Sequence, residues 1–336
     1  MLIFALMELP VNNIVDQFGR VHDYLRISLT ERCNLRCVYC MPEEGIALRP
    51  KAEFMNTSEV LKMAETFVSL GVKKIRLTGG EPLVRSDAKI LLEKLSKLPV
   101  ELAITTNGIL IDKFFDTIKT SGIKSINVSL DSLNKEKFNS ITRRNDFDKV
   151  ISNINLLLNN NFHVKVNAVV IKGVNEDELA DFVRWTSDKN VHVRFIEFMP
   201  FDGNKWDFSK VISLETILAK VRKQFGEKVK RINDRKNDTS KNYSIEGFKG
   251  TFAIISSVTN PFCDTCNRLR LTADGKIKNC LFSDSETDLL SAMRRGEDIV
   301  PLIREAVWHK KSVRAGITSF ENLEKRKNRA MIAIGG

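Results

Sequence analysis

Six cysteines stand at positions 33, 37, 40, 263, 266 and 280 of this 336-residue chain. They form two tight triplets, C-x3-C-x2-C and C-x2-C-x13-C. Disulfide frameworks belong to short secreted chains, whereas clustered cysteines in a reducing compartment are usually metal ligands or redox groups. Structural zinc takes four closing ligands, and the nearby His22 lies upstream, on the strand side of the first triplet. Three thiolates on one short loop, Cys33, Cys37 and Cys40, suit a [4Fe–4S] cluster with one iron left open, and Cys263, Cys266 and Cys280 suit a second. For that second triplet, a zinc ribbon short of one ligand and a redox dithiol stay open as alternatives, because a CxxC pair alone is weak evidence.

The elements that carry these residues can be read from periodicity. Between Tyr24 and Phe198 a short β-rich run, a turn and a helical stretch recur six times, with strands expected at 25–29, 74–78, 102–106, 125–130, 164–169 and 191–198. Five helices are expected after the first five strands; Phe147, Val150, Ile151, Ile154, Leu157 and Leu158 make the clearest apolar stripe. Gly71 and Gly122 are placed to end two of the others. The strands alternate: Leu25, Ile27 and Leu29 with Arg26 and Ser28; Ile75 and Leu77 with Arg76 and Thr78; Val164 and Val166 with Lys165 and Asn167. A flat sheet covered by helices on both sides would read as continuous apolar runs. The alternation therefore predicts a curled parallel sheet with helices outside and a polar lumen, an incomplete (βα)6 TIM-like barrel. The first triplet directly follows the first strand, where such barrels carry their active sites.

The rhythm stops after Met199-Pro200. A helix is expected at 214–225, a polar, basic loop or boundary at 227–241, and a small antiparallel sheet from 251–258, 269–272 and 276–281, followed by helices near 286–295 and 300–308. This divides the chain into an N-terminal extension (1–20), the partial barrel (21–226) and a small C-terminal α+β domain (227–336) that carries the second triplet and a basic tail ending Gly335-Gly336.

With Tyr39 before its last cysteine, the first triplet resembles the signature of the radical S-adenosylmethionine superfamily, and Thr78-Gly79-Gly80-Glu81-Pro82 resembles that family's GGEP segment. Within the superfamily the layout resembles the branch that cyclises GTP in molybdenum-cofactor biosynthesis, on Arg26–Pro42, Ile75–Pro82, 105–108, 126–131, 165–167, 194–199, Cys263–Arg270 and the terminal Gly-Gly. The resemblance implies two [4Fe–4S] clusters and S-adenosylmethionine as cofactors. It implies a 5′-deoxyadenosyl radical that takes the ribose 3′ hydrogen of GTP, after which the carbon radical attacks guanine C8. It implies that Arg26, Arg76, Thr105, Lys165, Arg268, Leu269 and Arg270 contact GTP, with Arg26, Arg268 and Arg270 catalytic, and that Tyr39, Gly80, Ser129 and Met199 contact S-adenosylmethionine. Arg194, on the lumen face, is a further candidate for the nucleotide. An electron donor is also implied, as is a next enzyme, cyclic pyranopterin monophosphate synthase, that receives the product; the expected state is a monomer or homodimer. In the family the C-terminal double glycine reaches into the active site.

The formal charge of +11 favours anionic partners without choosing among them. No apolar run approaches the ~18 residues that span a bilayer, so a soluble, cytoplasmic protein with no membrane partner is expected. Met1 to Met7 are apolar but lack a basic leader and a small-residue cleavage site, so no signal peptide is read, and the apolar leader before Val15 is where the chain departs most from the family pattern. A twin-cluster radical enzyme acting on a peptide or RNA is the alternative. A zinc-binding nucleic-acid module would have no use for a lumen lined by Arg26, Arg76 and Lys165, and nucleic acid is not expected as a partner.

Overall fold

The computed structural model describes residues 13–42, 45 and 49–335; most of the apolar leader and Gly336 lie outside them. In chain order the elements are β1 (Tyr24–Ser28), α1 (Thr57–Ser69), β2 (Lys74–Thr78), α2 (Ala88–Leu95), β3 (Glu101–Thr106), α3 (Ile111–Thr120), β4 (Ser125–Ser129), α4 (Lys135–Thr142), α5 (Phe147–Asn159), β5 (His163–Val170), α6 (Leu179–Arg184) and β6 (His192–Glu197). There follow α7 (Leu214–Phe225), β7 (Val229–Ile232), β8 (Lys241–Ile245), β9 (Thr251–Ile255), β10 (Arg268–Leu271), β11 (Lys276–Lys278), β12 (Thr287–Asp288), α8 (Leu289–Arg294), α9 (Val300–Trp308), α10 (Phe320–Lys325) and α11 (Met331–Ile334). Among the described residues no helix is long and apolar enough to cross a membrane.

The six expected strands are all present, each within a residue of its expected bounds, because each has a buried apolar face that only one register satisfies. Leu25, Ile27, Ile75, Leu77, Ile126, Val128, Val164 and Val166 are fully buried between the sheet and its outer helices. Helices α1 and α3 are followed by Gly71 and Gly122, which take the left-handed conformation (φ 89° and 66°) that ends a helix without a Cβ clash. Helix α1 opens with a capping box in which Asn56 and Glu59 satisfy each other's backbone amides.

The C-terminal third departs from expectation. The stretch read as a loop contains β7, and the expected antiparallel sheet does not stand alone. All twelve strands of the described residues form one sheet, in the order β12-β11-β10-β1-β2-β3-β4-β5-β6-β9-β8-β7. Strand β9 pairs parallel with β6, and β10 pairs parallel with β1, so the parallel core widens at both edges, while β7–β8 and β11–β12 add antiparallel borders. The chain between β9 and β10 must therefore pass from one edge of the sheet to the other, across its open side. Glu197 at the end of β6 anchors the start of this crossing, accepting from the Val258 and Thr259 amides (2.8 and 3.0 Å) and from the Thr259 hydroxyl.

This pairing makes residues 227–336 part of the barrel's edge protection. A chain truncated after residue 226 leaves β1 and β6 with unpaired edges, which template aggregation. We expect the fragment to be insoluble or to elute as large aggregates in size-exclusion chromatography, whereas the full chain should elute as a discrete monomer or dimer.

Candidate active site

The concave face of the sheet encloses a cavity of about 680 Å³ lined by residues from every strand of the parallel core. Both cysteine triplets open onto it. Their placement follows from strand direction. Cys33, Cys37 and Cys40 follow the C-terminal end of β1, whereas Cys263 and Cys266 precede the N-terminal end of β10, which runs parallel to β1 in the register Tyr24 to Arg268 and Arg26 to Arg270. The triplets thus lie toward opposite ends of one lumen. The five residues of β1 separate those ends by about 13 Å at ~3.3 Å per residue.

None of the six cysteines is joined in a disulfide. Among the described residues no three Cys, His, Asp or Glu side chains converge as the ligands of a single metal ion would. A multi-iron cluster does not need that convergence, because each thiolate takes a different iron. Burial pushes Cys33 up to about 11 with help from Glu81, and Cys40 up to about 12 with help from Cys33 and Asp131; Cys37 is driven well above the usual thiol range by burial, Asp131 and its neighbouring thiols. The thiolate is the metal-binding form, so this set of thiols fits a site completed by a cation. His22 is no part of either triplet: it pairs with Asp16 at 3.0 Å, and burial holds it near pKa 4.

The first triplet is braced by the next two loops. In the GGEP segment Gly80 and Glu81 donate backbone amides to Thr30 and Arg32 (both 2.8 Å), so close that a Cβ on Gly80 would fall 2.5 Å from the Arg32 carbonyl. The fully buried Glu81 carboxylate accepts from the Asn107 amide (2.6 Å), the Thr106 hydroxyl (2.8 Å) and the Leu83 amide (3.0 Å), and burial lifts it to about 7. Asn107 in turn reaches Cys33 Sγ at 3.7 Å. Tyr39 donates to buried Asp131 at 2.7 Å, and Ser129 and Met199 line the same end. Sequence patterns gave no sign of the Tyr39–Asp131 and Glu81–Asn107 contacts, since the partners lie on different loops.

The nucleotide candidates gather at the other end. Arg270, Arg26 and Arg76 sit side by side on three adjacent parallel strands. Thr105, Asn127 and Lys165 form a second row, and Arg194 pairs with Asn167 at 2.9 Å. Like charges directly opposed on neighbouring strands repel, and burial compounds the cost. Burial and Arg270 hold Arg26 well below the usual range, while burial lowers Arg270 to about 10, Arg194 to about 9 and Lys165 to about 8, each with help from neighbouring cations. Among the described residues, Arg26 Nε, Thr105 Oγ1 and Asn127 Oδ1 are buried without hydrogen-bond partners. The clustered cations and the unpartnered donor Arg26 Nε suit an anion with several acceptor oxygens, whereas Asn127 Oδ1, an acceptor, suits a donor on the same ligand.

Leu269 differs from the other candidates. Its side chain is 1% exposed, opposite Leu25 in the hydrophobic core, leaving only its backbone near the lumen. Several lining groups were not foreseen. Tyr24 accepts from Arg76 Nε at 2.6 Å and lies beneath the Arg268 guanidinium at 5.3 Å. Ile232 at the end of β7 and residues of the 233–240 loop before β8 form part of the wall, which His163 and His192 also line. The tail also arrives: Gly335 O accepts from Arg270 at 2.8 Å, and α11 sets Ile332 against Gly80.

Comparison with known proteins places these features in a family. Residues 27–186 match the radical SAM superfamily and residues 191–315 match Molybdenum Cofactor Synthesis C. The chain is 48% identical to the mitochondrial GTP 3′,8-cyclase of Arabidopsis thaliana, over 97% of this chain and 85% of that protein. It is 42% identical to the GTP 3′,8-cyclase of Listeria monocytogenes, over 88% and 90%. It is 46% identical to human molybdenum cofactor biosynthesis protein 1, of which it spans 51%. The crystal structure of Streptococcus suis SuiB bound to S-adenosylmethionine shares the fold, with a TM-score of 0.59, 18% identity and coverage of 88% of this chain and 70% of that one.

Tyr24 offers a direct reading of the charge in the cavity. Burial favours its neutral form, but Arg76, Arg26 and Arg268 outweigh burial and bring its pKa down to about 7. A polyanion that neutralises these arginines raises that pKa again, so binding near pH 8 takes up a proton. Calorimetry in buffers of different ionisation enthalpy should show this uptake with GTP or tripolyphosphate, and Tyr24→Phe should reduce it, leaving the part that Lys165, held near 8, contributes.

Proposed function

We propose, on the premise that this chain belongs to the radical S-adenosylmethionine superfamily and to its GTP 3′,8-cyclase family, that it converts GTP to (8S)-3′,8-cyclo-7,8-dihydroguanosine 5′-triphosphate. That conversion is the first step of molybdenum-cofactor biosynthesis. The observation that carries the reading is the three-arginine row with its unpaired Arg26 Nε, facing a cavity that both cysteine triplets line. A triphosphate supplies the missing counter-charge.

Cys33, Cys37 and Cys40 would hold the cluster that, with S-adenosylmethionine, supplies a 5′-deoxyadenosyl radical when bound. Cys263, Cys266 and Cys280 would hold a second cluster against the guanine. Around Gly80, Ser129, Tyr39 and Met199 the chain would seat S-adenosylmethionine, and the short, braced approach of Gly80 to the cysteine loop keeps that seat rigid. Arg26, Arg76, Lys165 and Arg194 would hold the triphosphate, with Thr105 beside them, while Arg268 and Arg270 would contact phosphate or guanine acceptors. The enclosing sheet and the β9–β10 crossing would exclude water from a reactive radical. Residues 21–226 would carry the radical chemistry and 227–336 the second centre.

Anaerobic reconstitution should yield about eight irons per chain. With S-adenosylmethionine, a low-potential reductant and GTP, the protein should release 5′-deoxyadenosine and the cyclised nucleotide together. Arg268→Ala with Arg270→Ala removes two charge-assisted contacts of ~1.5–3 kcal/mol each, so product formation should fall about a hundredfold or more while slow cofactor cleavage persists. Undiminished product in liquid chromatography–mass spectrometry would remove both arginines from the site.

A further inference from the structure

The two triplets meet different electrostatic surroundings. Around the first, the hydrogen bonds to sulfur come from neutral groups, the Leu35 amide (3.4 Å) and Asn107 Nδ2 (3.7 Å) on Cys33. Just behind them stand two buried carboxylates, Glu81 bonded to Asn107 and Asp131 bonded to Tyr39. Around the second, the donor is a cation. Lys310, two residues beyond α9 and only 3% exposed, places Nζ 3.5 Å from Cys266 Sγ and 2.9 Å from the Arg268 carbonyl. No acidic side chain among the described residues pairs with that ammonium. The Arg314 amide, from the same segment, donates to Cys263 Sγ at 3.4 Å.

We propose that Lys310 is a positioning residue that raises the reduction potential of the cluster at Cys263, Cys266 and Cys280 above that of the cluster at Cys33, Cys37 and Cys40. This rests on the two-cluster reading. One-electron reduction adds a negative charge to a cluster without breaking a bond. A buried ammonium on a ligand sulfur stabilises that charge, whereas the sulfur of Cys33 has only neutral hydrogen-bond donors. A low-potential one-electron donor serving both centres therefore fills the second before the first, and an electron is held beside the substrate while the first centre cleaves its cofactor.

The test is a mediated potentiometric titration of the reconstituted protein followed by electron paramagnetic resonance, with Cys33, Cys37 and Cys40 replaced by Ala in a reference variant to identify the second centre's signal. In the wild type the second centre should reduce at the higher potential. Lys310→Met should lower its reduction equilibrium constant at least tenfold, a shift of about 59 mV, without moving the first centre, and Lys310→Arg should restore most of it. An unshifted potential in Lys310→Met, or an equal fall in Lys310→Arg, overturns the inference while two intact clusters leave the functional reading standing. A wild-type protein with a single cluster overturns both. If Lys310→Met loses the second cluster, pulsed resonance on wild-type protein labelled with [15N]lysine decides: a nitrogen coupling at the reduced second centre supports the contact, and its absence overturns it.

Discussion

The parallel pairing of β10 with β1 makes one site out of two segments that are far apart in the chain. A parallel partner cannot be reached by a tight turn, so the chain must cross the open side of the sheet before it can enter β10. That crossing carries Cys263 and Cys266. Because the two strands point the same way, the residues after β1 and those before β10 are held at opposite ends of the lumen. The distance between the triplets is thus governed by strand rise, a stiff quantity, and loop conformation has little say in it.

The same pairing sets Arg270 beside Arg26, with Arg76 next in line. Three guanidiniums in one row oppose folding unless something compensates, and Tyr24 does so only in part. Its hydroxyl takes one hydrogen bond from Arg76, and its ring lies under Arg268. The remaining imbalance is stored as binding capacity for an anion. Stability and affinity would be coupled here, because the like charges that oppose folding are the ones a polyanion would neutralise.

Each end of the lumen is stiffened by buried carboxylates or cations bonded to backbone groups and sulfur. Glu81 ties two loops near the first triplet, Glu197 pins the start of the β9–β10 crossing, and Lys310 links Cys266 to the first residue of β10. Such groups are expensive to bury singly and are kept only where their bonds are complete. Arg26, whose Nε is buried without a hydrogen-bond partner among the described residues, lines the cavity.

Local patterns determined much of this protein. Alternation along 25–29, 74–78 and 164–169 identified both the strands and the lumen face that holds Arg26, Arg76 and Lys165, because a period of two sorts side chains to two sides whatever the strand pairs with. Cysteine spacing marked both triplets for the same reason: ligands on one loop are close in sequence. Tertiary structure alone decided which strands pair. The four residues of β7 are too few and too polar for their alternation to show, and β9 and β10, read as one small sheet, went to opposite edges of the large one. It also turned Leu269 into the core and brought Asp131 to Tyr39, Lys310 to Cys266 and Gly335 to Arg270. These contacts join segments whose separation along the chain leaves no periodic trace, and only the free energy of the whole packed sheet selects them.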